Sequence, residues 1–337
     1  MNHMHFGTLP SGESVELYEL KSDALLCRIM TRGAAIVDLI HDGVNIVGGF
    51  SSLDDYLSDT SHQGALIGRV ANRVGGAAFT MDGVRYSLPD NDGGNCLHGG
   101  RGFDRRLFTV TEATDTSLSL TYRSEDGEEG FPSTVNVRVT YTLCDTDLIL
   151  SYEARPEGKT PIALTNHAYF NLDGLGGTVD DHEVYIDADR YTEVDASLIP
   201  TGERPRVDGT RFDLRVPVRI GDGLTDGFVG YDHNYLLNGT RVTCIHGVPL
   251  ALAARISNGV RTLSVFTDQP CMQFYTGNFL AGEPAFRGGT RRVLRGAFCM
   301  ETQTEPDAIR HGIGFYDAGE VYRHTTVYRL QKGRVFE

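Results

Sequence analysis

An all-β fold, one large antiparallel β-sandwich with helix confined to short turns, is the fold class this sequence predicts, and three observations carry the prediction. Apolar Val135, Val137, Val139, Tyr141 and Leu143 alternate with Thr134, Asn136, Arg138, Thr140 and Thr142, the period-two pattern of a half-buried strand. No segment sustains helical periodicity over three turns. Glycine supplies 40 of the 337 residues, spread along the whole chain, which suits many tight turns between short strands better than long helices. No linker, internal repeat or charge run divides the sequence, so residues 1–337 are read as one domain.

In chain order, residues 14–39 predict two strands joined by a polar turn at residues 21–23, with Gly33 between apolar positions. Residues 51–59 predict one short helical turn, capped by Ser51 or Ser52 and favoured by Asp54 and Asp55 near its N-terminus. Asp82-Gly83 inside residues 79–88 marks a hairpin. Residues 117–122 and 148–154 flank the alternating strand and predict a three-stranded antiparallel meander. Shorter strands follow near residues 183–188, 234–237, 250–256, 262–266 and 272–276, separated by loops with Gly, Asp and Pro.

Composition excludes several functions. The formal net charge is -14 and the arginines are scattered, so a nucleic-acid partner, which needs a basic face, is not expected. Cys27, Cys96, Cys144, Cys244, Cys271 and Cys299 form no CxxC pair or framework spacing, and read as small core residues in a reducing compartment. Residues 1–12 lack the basic and apolar regions of a leader, and no apolar run is long enough to span a bilayer, so a cytoplasmic location without membrane contact is expected. Oligomeric state has no signal. Gly-Gly-Arg-Gly-Phe at residues 99–103 lacks the lysine and hydroxyl of a P-loop, and no Gly-x-Ser-x-Gly elbow marks a hydrolase. His98, His167 and His233 each stand alone in their segments, so no metal site is read.

The stretch Thr-Pro-Ile-Ala-Leu-Thr-Asn-His-Ala-Tyr-Phe-Asn-Leu-Asp-Gly (residues 160–174) sets His167 among Asn166, Tyr169 and Asn171 and between apolar residues. An imidazole so held serves acid–base chemistry near neutral pH, or sits structurally in a β core. His98 stands before paired glycines in Asn-Cys-Leu-His-Gly-Gly, which let a ligand approach the backbone. Asp232 enters a strand in Gly-Tyr-Asp-His-Asn-Tyr, where aspartate is disfavoured without a task. Glu301 ends the apolar run of Phe-Cys-Met-Glu-Thr-Gln-Thr, where burial would raise its pKa and make it a serviceable base. Arg69 and Arg73, with Asn72 between them, offer planar donors for hydroxyls and ring oxygens.

Together, Gly-Arg-Val-Ala-Asn-Arg-Val (residues 68–74), Asn-Cys-Leu-His-Gly-Gly, Leu-Thr-Asn-His-Ala-Tyr-Phe-Asn-Leu, Tyr-Asp-His-Asn and Glu-Thr-Gln resemble the motifs of the aldose 1-epimerases, the galactose mutarotase family, in that family's order and over most of the chain. The resemblance implies a galactose-mutarotase-like sandwich with a shallow cleft for a free aldose. It implies Glu301 as general base and His167 as general acid, with His98 and Asp232 binding hydroxyls and supporting the acid. Asn72, Arg73 and Gln273, in Met-Gln-Phe-Tyr, would be further sugar contacts. Cys96 departs from the family pattern, where a polar residue such as glutamine is expected, without touching the chemistry.

Anomer exchange explains these residue types. A base removes the C1 hydroxyl proton while an acid protonates the ring oxygen; the chain opens, C1–C2 rotates and the ring recloses. No metal or redox cofactor is needed. The scheme asks for His167 protonated and Glu301 ionised, with a nearby carboxylate favouring the charged imidazole and activity falling on both sides of neutrality. Two alternatives are a glycosidase using Asp232 and Glu301 as paired carboxylates, which leaves the histidines without work, and a non-catalytic sugar sensor on the same sandwich.

Overall fold

The computed structural model describes residues 2–336. Every pairing between its extended strands that builds a sheet is antiparallel. The predicted meander is its backbone: Ser117–Ser124, Val135–Cys144 and Asp147–Pro156 pair in sequence. Val135, Val137, Val139, Tyr141 and Leu143 are buried while their alternating neighbours reach solvent or the sheet's outer face. This meander opens a ten-stranded sheet, because Tyr322–Lys332 returns from the C-terminus beside Asp147–Pro156 and pairs on its other edge with Arg261–Thr267. A five-stranded sheet formed by residues 2–45 packs over it. One continuous cluster of buried side chains runs from Leu20 through Tyr141 and Phe274 to Leu330, and the Tyr141 hydroxyl donates to Ala34 O at 2.6 Å across the two sheets.

Residues 14–39 form three strands rather than the two expected: Ser14–Lys21, Leu25–Met30 and Ala35–His41. The extra break lies at Gly33 and Ala34, both with positive φ, and glycine is required at residue 33 because a Cβ there would also stand 2.6 Å from Asp104 O. The helical turn is Leu53–Ser58, with Ser52 as its cap in a reciprocal capping box with Asp55. The hairpin at Asp82-Gly83 is present as Ala78–Met81 and Val84–Ser87. Cysteine burial is mixed: Cys27, Cys96, Cys271 and Cys299 are core residues, whereas Cys144 is half-buried and Cys244 exposed, a correction to reading all of them as core. No helix among the described residues is long and apolar enough to cross a membrane.

Candidate active site

A separate four-stranded sheet supplies one wall of the site: Arg190–Tyr191, Asp232–Leu236, Cys271–Tyr275 and Cys299–Gln303 in that spatial order. Its register places Gln273 opposite both Asn234 and Glu301, and Tyr275 opposite both Asp232 and Cys299. Side chains two apart share a face, so Asp232, Gln273, Tyr275 and Glu301 emerge together. The alternate positions Tyr235, Met272, Phe274 and Met300 enter the apolar core.

The other wall is a strap over residues 66–74 that pairs with two short strands from elsewhere in the chain. Leu66–Ile67 pairs with Thr165–Asn166, immediately before His167, and Arg73–Val74 pairs with Cys96–Leu97, immediately before His98. One segment therefore holds both histidines. His62, Asn72 and His98 all adopt positive φ, a conformation costly outside glycine that concentrates at functional sites. Gly99 and Gly102 permit the close approach: a Cβ on either would lie within 2.5 Å of Gly68 O.

Between the walls is a cleft of about 180 Å³, and every residue singled out for the site, Asn72, Arg73, His98, His167, Asp232, Gln273 and Glu301, lines it. His167 Nε2 stands 3.7 Å from Glu301 Oε1, with both side chains almost wholly buried. Gln273 Nε2 donates to Asp232 Oδ1 at 2.7 Å. Arg73 Nε donates to Asp92 Oδ2 at 2.7 Å, and Asn72 Oδ1 accepts from Arg73 N at 2.8 Å. Among the described residues, Glu301 Oε2 and Gln273 Oε1 are buried polar atoms without a hydrogen-bond partner. Orphaned acceptors of this kind cost stability unless a ligand hydroxyl meets them.

Burial dominates the electrostatics. It pushes the Glu301 carboxyl well above its ordinary range, and the Asp232 charge adds to this while Arg73 opposes it. Burial likewise lowers His167 to about 3, with the His62 charge acting in the same direction, and holds His98 well below its usual value. Burial thus works against the attraction by which a neighbouring carboxylate was expected to keep His167 charged, lowering the imidazole and raising the carboxyl.

His98, His167 and Glu301, which stand apart in sequence, converge so that a donor atom from each lies within 4.8 Å of the others. The set does not suit a metal. Asn72 N–H donates to His98 Nδ1 at 3.2 Å, which fixes the neutral ring with its proton on Nε2, so His98 presents a hydrogen-bond donor where a ligand would need a lone pair.

Two expectations change. Arg69 lies outside the cleft, buried beneath the strap, where Nη1 donates to Pro132 O and Ser133 O at 2.8 Å and Nη2 to Ser124 Oγ at 2.6 Å; it is a structural cation. Asn166 never meets the His167 ring. Its amide donates to Gly64 O at 2.8 Å and accepts from Ala168 N at 3.1 Å, shaping the backbone around the histidine. Tyr169 does contact it, stacked with ring centroids 5.0 Å apart. Sequence reading missed Thr60, Ser61, His62, Tyr275 and Phe279 in the lining; only Tyr275, two residues beyond Gln273 on an alternating strand, carried a legible signal.

Comparisons with known proteins identify the family. The family model for aldose 1-epimerase matches residues 16–329. Human galactose mutarotase is 43% identical, over 96% of this chain and 97% of that one. The Escherichia coli aldose 1-epimerase is 32% identical, over 95% and 96% respectively. The crystal structure of galactose 1-epimerase from Lactobacillus acidophilus superposes with a TM-score of 0.87 at 26% identity, covering 99% of both chains. The chain belongs to the aldose 1-epimerase family.

Proposed function

We propose that this protein interconverts the α and β anomers of a free aldose such as D-glucose or D-galactose, with Glu301 as base and His167 as acid. The observation that carries the roles is the buried Glu301–His167 pair, 3.7 Å apart, with the unpartnered Glu301 Oε2 in the same cleft. A bound sugar hydroxyl satisfies that oxygen and favours the carboxylate, and a proton is then held by His167 as the acid. Glu301 then takes the C1 hydroxyl proton while His167 protonates the ring oxygen. Closure runs the two transfers backwards after C1–C2 rotation. His98, as the Nε2–H tautomer, donates to a sugar oxygen; Asp232, held by Gln273, accepts from hydroxyls; Asn72, Arg73 and Gln273 fix the ring. Orientation in a water-poor cleft supplies much of the rate.

The sugar-sensor reading shares the cleft but gives the buried Glu301–His167 pair no purpose. Polarimetry of freshly dissolved α-D-galactose separates them: relaxation faster than the buffer blank is expected, and binding without acceleration would favour the sensor. Aryl glycosides should release no phenol; release would restore the glycosidase reading of Asp232 and Glu301. We further read the chain as one catalytic domain acting in the cytoplasm, since buried thiols at Cys27, Cys96, Cys271 and Cys299 suit a reducing compartment.

A further inference from the structure

His62 lines the cleft yet has no part in the proton transfers above. Its loop is tightly fixed: Ser61 N donates to Asp59 Oδ2 at 2.9 Å, Ala65 N donates to His62 O at 3.1 Å, and a Cβ on Gly64 would stand 2.0 Å from Ile36 O. The ring is fixed as well, with Nδ1 and Asp104 Oδ2 2.9 Å apart. Burial pushes the Asp104 carboxyl up, but the His62 hydrogen bond and the charges of His62, Arg105 and Arg32 outweigh it and hold the carboxyl below its ordinary range. Asp104 therefore accepts and His62 Nδ1 donates. Edge-on to His62, at 4.7 Å between centroids, lies His98, and His167 lies 5.9 Å away.

We propose that His62, held on Asp104, is a positioning residue that sets the proton affinity of His167 and with it the acid limit of turnover. The proposal rests on the acid–base reading of Glu301 and His167. The groups facing His62 are Asp104, His98 and His167, with Arg32 and Arg105 behind Asp104 and Asp59 on its own loop, itself paired with Arg292 at 2.9 Å; among the described residues, Asp104 is the carboxylate in contact with the ring. A protonated His62 has the Asp104 carboxylate 2.9 Å from Nδ1 as its counter-charge. Once charged, His62 opposes a second proton on His167 against the weaker opposite pull of Asp104, and it lowers His98 in the same way. The Glu301–His167 pair thereby keeps its single proton to lower pH than burial alone would allow.

The test is the pH dependence of kcat by polarimetry over roughly pH 4 to 9, for wild type and H62Q, whose amide keeps a donor toward Asp104. The acid limb is expected to move to higher pH by about one unit in H62Q. An unmoved limb with a uniform change in kcat or KM overturns the proposal and leaves His62 structural. If H62Q does not fold, wild-type protein with ¹⁵N-labelled histidine decides by NMR titration: His62 must gain its proton before His167, and the reverse order overturns the proposal. H167N separates this from the underlying reading. Near-wild-type turnover in H167N sinks the acid assignment itself, whereas a dead H167N with an unmoved H62Q limb sinks only the role of His62.

Discussion

Glu301 and His167 are kept where the folded chain is least able to solvate them, and each leaves a mark on stability. A carboxyl whose folded pKa is raised contributes stability that is fully present below its ordinary value and is lost as pH rises through the raised one. Glu301 fits that case. Glu301→Gln should therefore melt higher than wild type, with a margin that widens from about pH 5 upwards. A constant margin, measured by calorimetry across pH, would show that the carboxyl is not held protonated. His167 works in the opposite sense. Its folded pKa, lowered to about 3, means the unfolded chain binds its proton first, so stability falls as pH drops below about 6.5. His167→Asn should flatten that decline. From sequence these residues were legible as candidates because a single imidazole or carboxylate sat in an apolar run. Their protonation was not, since it depends on how completely the two walls exclude water.

At the scale of elements, the strap over residues 66–74 is what assembles the site. Arg69 and Arg73 look equivalent in sequence, but the turn at Asn72, with its positive φ, sends Arg73 to the cleft and leaves Arg69 beneath. There its acceptors are the Ser124 and Thr160 hydroxyls and, for the larger part, backbone carbonyls from residues 124–133, which carry no side-chain signal a sequence could show. Arg69→Leu would orphan those carbonyls at a cost of about 3 kcal/mol, seen as a lower urea midpoint. A midpoint within error of wild type would contradict the structural role. The capping box is a smaller and cleaner case: Ser52→Ala should cost about 1 kcal/mol with turnover unchanged. Residue types and spacing near Leu53–Ser58 were enough to read the turn, with its cap left between Ser51 and Ser52; the reciprocal bond from Asp55 was not read.

Across the whole molecule, the C-terminal strand joins halves that are far apart in sequence. Tyr322–Lys332 lies between Asp147–Pro156 and Arg261–Thr267, and the Tyr328 hydroxyl donates to Met300 O at 3.0 Å, next to Glu301. It went unread because a central strand is covered on both faces: its burial does not alternate cleanly, and Arg323, Arg329 and Gln331 interrupt its apolar run. The meander over residues 117–156 was legible because one of its faces meets solvent. Leu330, fully buried in the main core, should cost about 2–5 kcal/mol when replaced by Ala, read as a lower urea midpoint with KM for the sugar unchanged. The central claim, however, lies with the pair at the sheet's end, and polarimetry of α-D-galactose with Glu301→Gln tests it most directly. A loss of turnover on the order of 10²- to 10⁴-fold with modest change in KM is predicted, and a rate near wild type would contradict Glu301 as the base.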